Sequence, residues 1–308
     1  MFFIETFDFR QYPKAMDPRW HLVTLALGLT IPLNAQGMLN IPATLGTVVR
    51  TSEALEAHVP DYILIQDVHS HGEAQVHIAA LLQLAQDQWG VQKTFIEGAF
   101  TKVEKHDLPA ALLDEKSWPA LAESGELSGS ELALLQAPAS FDVIGIDDRA
   151  LYRENVLTYE RLQQWREKIL REGRPLSGTE RELLDNLLSL RMTPGEYARY
   201  QKEKKHLRAA RDWAPAIHLA EYFYAVADAR SAAFLTNASA VKTTGPRVLV
   251  TGGFHTEAMC EELQKSGKSF VVIRPRITRP ADKQLYKSHL EETARMLGPA
   301  TLLASKPL

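Results

Sequence analysis

The sequence predicts an α/β fold: a mainly parallel sheet flanked by helices, with a large all-helical insertion before the late strand that runs into a Gly-x-x-His motif. Three observations predict it. Short runs of β-branched, aromatic and aliphatic residues at 62–66, 93–97, 141–146, 247–251 and 269–273 have the length of strands buried on both faces. Stretches with apolar residues at helical spacing separate several of them. The span between Asp148 and Gly245 is rich in Arg, Glu, Leu and Lys and holds no strand-like run. Alternation of this kind builds a parallel sheet with helices on its faces.

Near the start, residues 22–33 form an apolar run that is too short to span a bilayer comfortably. Counted from Met16, with Arg19 before the run and Leu33, Asn34 and Ala35 closing it, the segment resembles a signal peptide cleaved after Ala35. A buried segment or an uncleaved anchor is the alternative. Residues 1–36 are therefore set apart as a signal or N-terminal extension, and 37–308 read as a single α/β domain. If 16–35 is a signal, the mature chain is exported or periplasmic; otherwise it is cytoplasmic.

The strand at 62–66 leads past Gly72 into a helix whose apolar positions Val76, Ala79, Ala80, Leu82 and Leu84 carry it towards Gly90. After the strand at 93–97 comes a Leu- and Ala-rich helical insertion at about 101–138, and then the strand at 141–146. The larger insertion, 150–240, divides into helices at 151–171, 178–190, 194–211 and 215–235. Ser177 with Glu180, and Thr193 with Glu196, have capping-box spacing. The basic run 202–208 has acidic neighbours and reads as a solvated helix face. Trp213, Tyr222, Phe223 and Tyr224 read either as helix core or as the lining of a pocket beneath the insertion. A strand at 247–251, a helix over 256–265 closed by Gly267, and a strand at 269–273 complete the domain.

Composition narrows the function. A net charge of −3 offers no basic face for nucleic acid. The single cysteine, Cys260, excludes an internal disulfide and a cysteine-rich zinc site, which leaves His, Asp and Glu as metal ligands. The sequence holds no Gly-x-Ser-x-Gly elbow, no Walker motif, no full dinucleotide fingerprint and no stretch suited to a stable membrane span. A soluble enzyme or binding protein remains, with a small-molecule or peptide partner.

The polar residues gather where the strands exit, the edge at which parallel α/β sheets bind ligands. The first strand exits into Asp67, His69, His71 and Glu73, the second into Glu97, the third into Asp147 and Asp148, and the fourth into Gly252, Gly253 and His255. His69 and Glu73 are four apart, so on a helix both could reach one centre; a bland alternative makes Asp67 or Ser70 the cap of the following helix, with Glu73 complementing its dipole. His71 reads as a second ligand or a surface residue, and His77 as structural. Glu97 follows an apolar run and needs a partner, whether metal, substrate proton or arginine. His255 follows two glycines that let a substrate or ion approach closely.

Gln66-Asp67-Val68-His69-Ser70-His71-Gly72-Glu73, Ile96-Glu97-Gly98-Ala99 and Gly252-Gly253-Phe254-His255, in that order, resemble the erythromycin esterase/ChaN/Tiki–TraB superfamily. Asp228-Ala229-Arg230, with Asn237 further along, resembles its arginine-bearing helix, and Gly145-Ile146-Asp147-Asp148 its third-strand exit. The resemblance covers about 40–280, and departs from the group where Gln66-Asp67 replaces the usual Gly-Glu before the histidine. It implies a hydrolase acting on an ester, lactone or peptide bond, with Glu73, Asp147, Arg230 and His255 as catalytic residues. In a metal-dependent form, His69, Glu97 and His255 hold a divalent ion (Zn, Mn or Co), Glu73 or Asp147 takes the water proton, and Arg230 stabilises the oxyanion. In a metal-free form a histidine activates water and Glu97 orients it. The alternatives are a ChaN-like protein binding haem or another small ligand through His69 or His71, and an inactive scaffold whose polar rim is an internal ion-pair network.

Overall fold

The computed structural model describes residues 40–53, 59–108, 114–137, 140–172, 181–206 and 213–279. The apolar run at 22–33 and the Ser177–Glu180 spacing lie outside them. In chain order the elements are β1 (Gly46–Thr51), β2 (Tyr62–Asp67), α1 (Gly72–Trp89), β3 (Lys93–Ile96), β4 (Lys102–Val103), α2 (Trp118–Ser124), α3 (Gly129–Gln136), β5 (Asp142–Gly145), α4 (Arg149–Arg171), α5 (Arg181–Leu188), α6 (Pro194–Glu203), α7 (Ala214–Ala240), β6 (Arg247–Gly252), α8 (Thr256–Lys265) and β7 (Phe270–Pro275).

One seven-stranded sheet runs in the order β1-β7-β2-β6-β3-β5-β4. The five strands expected from the apolar runs are its parallel centre, and the antiparallel edge strands β1 and β4 flank them. Alternate strand residues build two cores. Ile63, Ile65, Val248 and Val250 pack with α1 and α3 on one face. Leu64, Leu249, Phe95 and Val272 pack with α7 and α8 on the other. A third core, around Leu162, Leu187, Trp213 and Tyr224, lies within the large insertion.

The described parts of 150–240 are helical apart from short links such as 189–193, with a capping box at Thr193 and Glu196 as expected. That cap satisfies two otherwise orphaned backbone donors. Within this insertion α6 stops at Glu203, short of the expected 211, and tightens into a 3₁₀ turn at Lys204–His206. The region 101–138 is not purely helical: it opens with β4. Both edge strands escape a search for apolar runs, β4 because it has only two residues and β1 because most of its GTVVRT side chains are exposed. Trp213 and Tyr224 are core residues, whereas Tyr222 is exposed. Lys202 to Lys205 are exposed, in keeping with a solvated face. No helix among the described residues is long and apolar enough to cross a membrane.

Candidate functional site

Strand order assembles the site. β6 lies between β2 and β3, so the exits of three strands distant in sequence stand side by side. Asp67 pairs with Gly252 in the β2–β6 register, and Glu97 N–H donates to Val250 O at 3.2 Å just beyond β3. His69, Glu97 and His255 therefore meet at the carboxyl edge of the sheet.

Glu97 is the hub. Its Oε1 accepts from Arg230 Nη2 at 2.9 Å and lies 3.3 Å from His255 Nε2. Its Oε2 accepts from Gly252 N–H at 2.8 Å and lies 3.9 Å from His69 Nε2. Burial alone would raise the Glu97 carboxyl pKa, but His255, Arg230 and His69 together hold it well below the usual carboxylate range. Gly252 makes room for this arrangement: a Cβ there would sit 3.3 Å from both Glu97 Oε2 and His69 Nε2.

Beneath the hub, Arg230 is 5% exposed and engaged on every side. Nε donates to Asp147 Oδ1 at 3.1 Å, Nη1 to Asn155 Oδ1 at 3.0 Å, and Nη2 to Asp147 Oδ2 as well as to Glu97. Asp147 also accepts from Gly98 N–H at 3.0 Å, which fastens the loop after Glu97. Asn237 donates to Ile146 O at 2.9 Å and holds the β5 exit against α7. Arg230 and Asp147 thus form the buried footing of the site. Their polar atoms are spent on each other and on Glu97, Asn155 and Gly98, and the expected roles of oxyanion donor and water base find no support in their placement.

His255 is also buried. Ser231 Oγ donates to Ala227 O at 3.0 Å and is hydrogen-bonded to His255 Nδ1 at 2.8 Å. Phe234 lies edge-on to the imidazole at 4.9 Å. His69 is the site's more open histidine, with its side chain 36% exposed. Its Nδ1 is 2.6 Å from Asp67 Oδ2. Burial opposes a charge on this ring, but Asp67, through charge and hydrogen bond, and then Glu97 outweigh it and hold the pKa up to about 9.

Two expected site residues stand apart. Helix α1 begins at Gly72, so His69 is not on it, and the i, i+4 pairing with Glu73 does not occur. Glu73 instead accepts from Thr278 N–H at 2.7 Å, Thr278 Oγ1 at 2.9 Å and Arg279 N–H at 3.3 Å, which ties the chain after β7 to α1. The helix cap is His71, not Asp67 or Ser70: its Nδ1 accepts from Ala74 N–H, and its Nε2 bonds Arg279 O at 3.0 Å. With both nitrogens used, His71 is not placed as a haem ligand. His77 bonds Arg276 O at 2.7 Å and has the structural role expected of it.

Among the described residues, no group of three His, Cys, Asp or Glu side chains is arranged to hold a metal ion. Glu97 accepts from Arg230 and from Gly252 N–H, and His255 faces Ser231 and Glu97. Sequence reasoning missed Ser231, Asn155 and the orienting role of Asp67. Only Asp67 carried a signal, as a carboxylate two residues from a histidine at a strand exit.

Fold and site together define an α/β protein with a His–Glu–Arg cluster at the carboxyl edge of its sheet. No protein-family model, curated protein or solved structure matches the chain.

Proposed function

We propose that the chain is a metal-free hydrolase of an ester, lactone or peptide bond, with His69 as its acid–base group. The observation that carries this is the Asp67–His69 pair: a partly exposed imidazole, held through Nδ1 by a carboxylate, whose Nε2 side faces Glu97 across 3.9 Å. That separation suits a bridging water. Neutral His69 takes a proton from this water as the oxygen attacks the carbonyl carbon. Asp67 and Glu97 stabilise the imidazolium that results. The imidazolium then returns the proton to the leaving oxygen or nitrogen as the tetrahedral intermediate collapses. Glu97, held by Arg230 and His255, orients the water. The resemblance to the erythromycin esterase/ChaN/Tiki–TraB group supports the same reading, since that group includes esterases with a histidine base.

A screen of activated esters, lactones and peptides tests the proposal. His69→Ala is expected to lower turnover by roughly 10²–10⁴-fold, the scale of a lost acid–base group. Unchanged turnover in that variant overturns the reading. A carboxylate-backed imidazole also suits axial ligation, which favours haem binding as a second reading. A Soret band on haem titration that disappears in His69→Ala would select it.

A further inference from the structure

The turn carrying His69 is fastened from the face of the sheet covered by α1 and α3. Gln75, in the first turn of α1, is 2% exposed and uses both ends of its amide. Nε2 donates to Asp67 Oδ1 at 2.8 Å and to Val68 O at 3.0 Å, while Oε1 accepts from Gly129 N–H at 2.7 Å. Gly129 opens α3, and its contact is close: a Cβ there would lie 2.5 Å from Gln75 O and 2.7 Å from Ile78 Cβ. The result is a continuous chain from Gly129 N–H through Gln75 and Asp67 to His69. Burying an amide is costly unless its polar atoms are satisfied, and an aliphatic residue would fill this core position without that demand.

We infer that Gln75 is a positioning residue for His69. By linking Asp67 Oδ1 through its own amide to the N-terminus of α3, it fixes the carboxylate so that Oδ2 keeps the imidazole in one orientation. The smaller helical insertion is thereby the anchor of the candidate base. The kinetic consequence rests on the proposed role of His69; the hydrogen-bond consequence does not.

Proton NMR of the full chain at low temperature, with ¹⁵N-labelled histidine, reads the His69 Nδ1–H directly. In the 2.6 Å bond to Asp67 it is expected far downfield in the wild-type protein and absent from Asp67→Asn. Gln75→Met, which keeps the unbranched stem, and Gln75→Glu, which keeps an acceptor for Gly129 but loses the donor to Asp67, should both move or broaden it. Both should lower kcat by about ten- to a hundredfold with KM unchanged, the scale for disturbing a group that orients a functional imidazole. Gln75→Met combined with Asp67→Asn should fall no further than Asp67→Asn alone. A wild-type protein without the resonance overturns the inference. So do folded Gln75 variants that keep both resonance and kcat and lose only thermal stability. If no substrate is hydrolysed the proposed function fails, yet the resonance still decides the role of Gln75.

Discussion

Arg230 Nη2 and Glu97 Oε1 are 2.9 Å apart, with their side chains 6% and 11% exposed. A buried guanidinium with this partner, and with Asp147 behind it, is a foundation. Replacing Arg230 with Met leaves two carboxylates without their cation. The expected cost is roughly 3–5 kcal/mol of folding stability, the scale for breaking one side of a buried pair. Urea denaturation measures it. A stable Arg230→Met protein that has lost only turnover would return Arg230 to the role of oxyanion donor.

The pKa of His69 makes two pH predictions. A base must be neutral, so turnover should climb with pH and level off above about 9. Asp67→Asn should move that limb down towards the ordinary imidazole range. The stability contribution has the opposite sign. Because the folded pKa exceeds the ordinary 6.5, the stabilisation is complete below pH 6.5 and is lost as pH rises through 9. Thermal melts of the wild type and Asp67→Asn across that window should converge at the alkaline end.

Gly252 has φ −54° and ψ 145°, which alanine adopts without strain. Gly252→Ala should therefore keep the backbone of the strand exit, while its Cβ, 3.3 Å from Glu97 Oε2 and His69 Nε2, pushes these two side chains by a few tenths of an ångström. Its methyl group would occupy the space between Glu97 Oε2 and His69 Nε2, and turnover should drop. Wild-type rates from this variant would show that no reacting molecule needs that space.

The backbone N–H of Thr278, with its hydroxyl and Arg279 N–H, outweighs desolvation and holds the Glu73 carboxyl down to about 2. A lowered carboxyl pKa stabilises the fold above the ordinary 4.5, and this is lost as pH falls to 2. Glu73→Gln should melt earlier than wild type at neutral pH, and the gap should close between pH 4.5 and 2. Its turnover should be unchanged, since the residue ties down the chain after β7 and lies away from His69.

The central strands were legible because a doubly covered strand must be apolar along its length, as Ile63, Leu64 and Ile65 are. Their exits were legible because polar residues there have no core to fill. Roles within the site were harder to read. Whether Arg230 faces a substrate or Asp147 depends on α7 lying over β5, and sequence spacing carries no such information. The pairing of His69 with Glu73 misled because helical spacing was extended one turn too early. The chain holds Ser70 at φ 57°, so the helix starts only after His69 has turned away.

The position of β6 also bears on how the protein is made. Glu97 and Gly252, whose bond closes the centre, are 155 residues apart in the chain. Until β6 emerges, β2 and β3 have no strand to bridge them, and their facing edges are bare. Contacts over such separations form slowly, and unpaired apolar edges invite association with other chains. A ribosome stalled within the helical insertion would therefore hold a sticky half-sheet, with Glu97 still lacking the cation and the glycine that later enclose it.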